Sequence, residues 1–220
     1  MKSFTKSKFV TTALLAAWIA TPAFAQSNSN SPKDTKPASG KPSEAEMMAQ
    51  MMEMGKPSEH HRILEGMVGT WTYKVKSWMT PDGSGPPMES TGKTVSKALM
   101  GGRYFTSEHS GKFEMPGPDG KMQSMDFNGI STEAYDNAKK KYVSTWIDNM
   151  STGIMVMEGT FDPATKTLTY TGEYEPLPGM KTKARQTIKI VNHVERVMEM
   201  YETRGDKEVK VMEITYSRRS

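Results

Sequence analysis

The chain has 220 residues, a formal charge of +4 and no cysteine. That length suits one domain of ordinary size, and without cysteine there is neither a disulfide nor a thiol for a lipid anchor, so stability must come from a packed core. Residues 1–25 hold three lysines and no acid, which leaves about +1 for the rest; a nearly neutral chain lacks the basic footprint of a nucleic-acid-binding protein.

The first element is a signal peptide over residues 1–25. Lys2, Lys6 and Lys8 precede an apolar run from Phe9 to Ala20, and the small-x-small triplet Ala23-Phe24-Ala25 places cleavage before Gln26. The run is shorter than the roughly 20 residues of a membrane span. The expected location is therefore periplasmic or secreted, with no stable membrane anchor after cleavage. Residues 26–42, rich in Ser, Asn, Pro and Lys, read as a disordered linker. Residues 43–57 read as a Met-rich amphipathic helix, started by the capping-box pair Ser43/Glu46 and stopped by Gly55 and Pro57. A second short helix covers "SEHHRILEGM" and opens the main domain, residues 58–220.

From Thr70 the pattern becomes strand-like. Runs at 70–79, 90–99, 103–114, 122–133, 141–149, 153–161, 167–175, 181–191, 195–203 and 207–218 are separated by turn signals such as "PDGSGPP", "GPDG", "YDNAKK", "DPATK", "PLPG" and "RGDK". About ten strands with short connections and no helices between them predict an all-β fold, an antiparallel up-and-down β-barrel. Closure is favoured over a sandwich because it leaves no sheet edge.

The switch from helix to strand falls at "EGMVGTW", Glu65–Trp71. Gly69 allows a sharp turn, and Trp71 is expected to fill the floor of the barrel. This G-x-W resembles the signature of the calycins, which include lipocalins and fatty-acid-binding proteins. In lipocalins an arginine from the end of the barrel packs across that tryptophan, which the resemblance assigns here to Arg218. The stretches "LEGMVGTW", "MGGRYF", "FNGISTEAYDNAKKKYVSTWIDNMSTGI", "EGTFD" and "KVMEITYSRR" also resemble a bacterial family known as domain of unknown function 1579. That resemblance runs from about His61 to Arg219. It implies a lipocalin-like barrel, often exported, and no established activity or catalytic residue.

No phosphate-binding loop, H-E-x-x-H, G-x-S-x-G or Cys/His zinc pattern is present, and no cofactor is expected. Strand alternation instead groups Arg103, Phe105, Ser107 and His109 on one face, and Tyr142, Ser144, Trp146 and Asp148 on another. With Phe105 and Trp146 turned inward, Arg103, Phe105, His109, Trp146 and Asp148 become the candidate contacts of a small, partly apolar ligand. The same geometry allows an enzyme with Asp148 as acid, His109 as base and Arg103 as anion holder. The plainer reading has Asp148 capping a turn, Arg103 in a structural pair and His109 facing water.

Two further clusters have plain alternatives. Met47, Met48, Met51, Met52 and Met54 share a broad helical face; thioethers bind Cu(I) and Ag(I), which allows a periplasmic copper or silver binder with Met47, Met48, Met51 and Met52 as ligands, while flexible methionines also cover apolar surface. His61 and Glu65 have the i, i+4 spacing of a metal clip, but two ligands make no site, and a solvated face is the simpler reading. A haem held by His109 has no supporting motif. Asn149 fits a glycosylation sequon that is common by chance. Oligomeric state leaves no mark in the sequence.

Overall fold

A computed structural model describes residues 41–80 and 82–218. The expected signal peptide and nearly all of the expected linker lie outside the described residues. Helix α1 spans Glu44–Met54 and α2 spans Glu59–Glu65. At α1 the capping box forms as the sequence predicts. Ser43 N donates to Glu46 Oε2 at 2.8 Å, and Glu46 N donates to Ser43 Oγ at 3.3 Å, so two otherwise orphaned backbone donors are satisfied. At α2, Ser58 N donates to His61 Nδ1 at 2.9 Å. His61 is buried, which corrects the expectation of a solvated face; its nitrogen serves the helix start, not a metal.

Ten strands follow: β1 (Gly69–Ser77), β2 (Met88–Leu99), β3 (Tyr104–Pro116), β4 (Met122–Asp136), β5 (Lys141–Asp148), β6 (Met155–Asp162), β7 (Thr167–Tyr174), β8 (Thr182–Ile190), β9 (Glu195–Arg204) and β10 (Lys207–Ser217). Each pairs antiparallel with its neighbours in sequence, and β1 pairs with β10 to close the barrel. The expected up-and-down barrel of about ten strands is what the chain forms. β4 runs three residues past its predicted end, because alternation continues through Tyr135 and the Asp136 carboxylate then caps the turn by accepting from Ala138 N and Lys139 N. A bulge between Lys210 and Met212 resets the register of β10.

Large rings fill the interior where the facing positions are glycine. A Cβ on Gly92 would lie 2.3 Å from the Tyr73 ring, one on Gly129 would lie 2.5 Å from Trp146, and one on Gly159 would lie 2.8 Å from Tyr170. The glycines are thus spaces cut for particular aromatic side chains. One core cluster joins Leu64 and Met67, from the helical lead-in, to Phe105, Tyr142, Leu168 and Tyr170. A second holds Trp71, Tyr73 and Tyr216. The lead-in therefore closes the end of the barrel where β1 starts, and both clusters adjoin the polar groups described next.

Candidate functional site

Trp71 is 2 % exposed, and its Nε1 donates to Met67 O at 2.9 Å. Two guanidiniums lie over its ring, those of Arg218 and Arg196, each 4.5 Å from the centroid. Arg218 is fastened: Nε donates to His193 O at 2.7 Å and Nη1 to Val68 O at 2.8 Å. Gly69 sits beside it with φ +128, and a Cβ there would approach Arg218 Nη1 to 3.1 Å. Glycine is needed at that position both for its backbone and for the room it leaves.

Arg196 differs. It is 6 % exposed and also lies over Tyr216 at 4.6 Å, and its Nη1 is buried with no hydrogen-bond partner among the described residues. A buried carboxyl acts on it electrostatically, that of Glu133 on β4, which is 9 % exposed. Burial pushes the Glu133 carboxyl up, and the charge of Arg196 draws it partly back. The two groups feel one another without a direct ion pair within 4.0 Å. Tyr170 from β7 adds a second buried donor without a partner, its Oη. Burial, with the Glu133 charge nearby, holds that hydroxyl firmly protonated.

Small hydroxyls line the wall from β2 to β5. Ser96 and Ser107 share a buried hydrogen bond of 2.7 Å, Ser107 faces Ser131 across the sheet, and Glu133 faces Ser144. His109 is one step along on β3. Its Nδ1 pairs with Thr94 Oγ1 at 2.9 Å, and its ring meets Trp146 edge-on at 5.1 Å, with Tyr73 and Tyr216 at 6.1 and 6.3 Å. Burial, with the positive Arg196 adding to it, pushes the imidazole down to about 4, so it is uncharged near neutrality. The result is an interior with one buried cation, one buried carboxyl, a neutral histidine, two unpartnered donors and several aromatic faces. Toward the helix-capped end, a crevice of about 280 Å³ is lined by Trp71, Lys166, His193, Arg196 and Arg218, among others.

Of the residues singled out in the sequence, Phe105, His109 and Trp146 do share the interior. Arg103 does not. β3 begins at Tyr104, and Arg103 follows a turn in which Met100, Gly101 and Gly102 all have positive φ, so strand alternation does not extend to it. Its exposed guanidinium donates to Gly55 O at 2.8 Å and Met100 O at 2.9 Å. Asp148 is committed to local structure: Oδ2 accepts from Trp146 Nε1 at 2.7 Å, and Oδ1 accepts from Met150 N and Ser151 N. The grouping of Asp148, His109 and Arg103 as acid, base and anion holder is therefore not formed. Among the described residues no three His, Cys, Asp or Glu side chains gather as metal ligands.

Glu133, Arg196, Tyr170 and Tyr216 escaped the sequence reading, although a signal was there. In "GISTEAYD" Glu133 has the parity of Gly129, Ser131 and Tyr135, and in "ERVMEM" Arg196 has the parity of Met198 and Met200. A charge on an inward parity is the mark of a functional interior. The chain matches the family described as "Protein of unknown function (DUF1579)" over residues 56–218, well over half its length. No curated protein matches it. The chain belongs to this family, and its closed ten-stranded antiparallel barrel fits a lipocalin-like fold.

Proposed function

We propose that this member of the family is an exported binding protein whose barrel holds a small, partly apolar molecule by an acceptor-bearing head group. The observation that carries the reading is the pair of buried donors, Arg196 Nη1 and Tyr170 Oη, that no described residue satisfies. A buried donor left unpaired costs about 1–3 kcal/mol, and a carboxylate, carbonyl or hydroxyl oxygen placed between these two would recover that cost. Glu133 lies near enough to sense both groups and would discriminate among head groups by charge. Phe105, Trp146 and Tyr216 supply apolar and ring surface for the remainder of the molecule. Export rests on residues 1–25, whose basic start, apolar run and small-residue cleavage site fit a signal peptide.

Non-denaturing mass spectrometry of protein isolated without organic solvent tests the ligand directly. A bound mass is expected, lost in Arg196→Met and reduced in Tyr170→Phe while both variants keep the wild-type circular dichroism spectrum. Protein that carries no added mass, and whose melting temperature ignores a panel of aliphatic and aromatic carboxylates and their alcohols, would sink the proposal. N-terminal sequencing of the protein from a periplasmic or culture fraction tests export, with Gln26 expected as the first residue.

A further inference from the structure

Helix α1 lies outside the barrel chemistry, and its methionines have no structural employment. Met47, Met48, Met51, Met52 and Met54 are 44–69 % exposed, and no residue of the helix is buried. The packing role open to them in the sequence, covering an apolar surface, is therefore not what they do. Two of the carboxylates on the same helix are occupied: Glu46 closes the capping box with Ser43, and Glu53 pairs with Lys56. The helix is fastened at its C-terminal end alone among these contacts, where Arg103 donates to Gly55 O and Asn137 donates to Met54 O and Lys56 O at 2.8–2.9 Å. That end is anchored to the barrel while the methionine side chains stay exposed.

On a helix of about 100° per residue, Met47, Met51 and Met54 fall within an arc of about 60°, at i, i+4 and i+7, with Cα levels about 6 and 4.5 Å apart along the axis. Three long, flexible side chains at that spacing can reach one point above the central residue. Met48 and Met52 form a second i, i+4 pair alongside. A thioether is a neutral, soft sulfur donor, which selects Cu(I) among the common biological metals and takes the similarly soft Ag(I), whereas hard cations prefer oxygen. We propose that α1 is a Cu(I) site with Met47, Met51 and Met54 as its three ligands. The site is independent of the barrel interior. Because a thioether carries no proton to lose, its affinity for Cu(I) does not weaken as the pH falls, unlike a site built from histidine or cysteine.

The test is an anaerobic titration of the intact protein with Cu(I) against bicinchoninate, followed in parallel by NMR of methyl-labelled methionine. One equivalent is expected to bind, with the methyl signals of Met47, Met51 and Met54 moving and those of Met79 and Met180, exposed on the barrel, staying in place. Replacing the three ligands by leucine keeps the helix-forming tendency and should weaken binding at least about tenfold. The Met79→Leu/Met180→Leu variant should bind as the wild type, and affinity should be the same at pH 5 and pH 7 once the competitor's own protonation is allowed for. Unchanged affinity in the triple-leucine variant, binding that collapses at pH 5, or a signal centred on His60 and His61 would each overturn the assignment. So would the absence of any Cu(I) uptake.

Discussion

Arg218 and Arg196 lie over the same indole at the same 4.5 Å, yet they belong to different kinds of region. Around Arg218, at the helix-capped end, donors are matched to backbone carbonyls: Arg218 to His193 O and Val68 O, and Trp71 to Met67 O. Around Arg196, in the interior, a guanidinium nitrogen and a tyrosine hydroxyl are buried without acceptors, and a carboxyl is held near the cation but not against it. A satisfied network of this kind rigidifies a fold, while an unsatisfied one costs stability and is retained for another reason. The two arginines thus separate scaffold from site within a single cluster. Each prediction below perturbs one side of that division.

The largest effect is expected at the capped end. Trp71→Ala empties an aromatic core position and should cost about 3–5 kcal/mol in urea unfolding. A loss below about 1 kcal/mol would mean that the end is not sealed by the indole, and the scaffold half of the comparison would fail.

The interior should show itself next through pH. The His109 imidazole falls from 6.5 to about 4 in the folded chain. The unfolded chain then binds the extra proton between those values, so stability rises with pH from about 4 to about 6.5 and is lost as pH falls through that window. The full shift corresponds to about 3 kcal/mol. Glu133 acts with the opposite sign. Its folded carboxyl titrates higher than the unfolded one, so its contribution is present at low pH and is lost as pH rises above about 4.5. Chemical unfolding across pH 4–8 should therefore show His109→Gln flattening the acid limb and Glu133→Gln gaining relative stability toward neutrality. An acid limb as steep in His109→Gln as in the wild type would remove His109 from the buried interior.

How much of this was legible beforehand follows from the range of each signal. Strand positions are set by local alternation and turn chemistry, so all ten runs could be placed, with errors confined to ends such as Asp136, where a side-chain cap decides the boundary. Gly69 and Trp71 could be read because a helix-to-strand switch is local too. Parity correctly grouped Phe105, His109 and Trp146. It failed at Arg103 because three positive-φ residues precede it; it did set Asp148 beside Trp146, and the carboxylate also caps the turn as the plainer reading had it. The charge opposition of Glu133 and Arg196 joins strands far apart in sequence and is created only when β10 closes on β1. Alternation carries a signal that each residue is inward, though it went unread; it holds no information about which of them face one another.

A smaller effect belongs to the second scaffold contact. Arg218→Ala removes two hydrogen bonds to carbonyls and one cation–π contact from a partly solvated position, and should cost about 1–2 kcal/mol. In a Trp71→Ala background the cation–π part disappears, so a double-mutant cycle should show a coupling of about 0.5–1 kcal/mol. Strict additivity would mean that the arginine holds only the His193 and Val68 carbonyls, and that the ring beneath it is incidental.

The smallest expected change has the opposite sign and tests the site half most directly. Tyr170 is buried among Leu168, Met157 and Tyr142, with its ring laid against Gly159. Phenylalanine has the same ring and loses only the hydroxyl, so packing is preserved. That hydroxyl has no acceptor among the described residues, and removing a buried donor that makes no bond relieves its desolvation cost. Tyr170→Phe should therefore leave the ligand-free protein as stable as the wild type or more stable by up to about 1 kcal/mol. The same change should weaken ligand binding, since the donor that cost stability in the free protein is the one the ligand would use. A scaffold tyrosine behaves in the reverse way: Tyr73 donates to Ser110 O at 3.1 Å, and Tyr73→Phe should lose stability with no bearing on the ligand. If thermal unfolding of the two ligand-free variants gave the same loss, the Tyr170 hydroxyl would already be satisfied within the fold, and the distinction between a matched end and an interior with unpartnered donors would disappear at that residue.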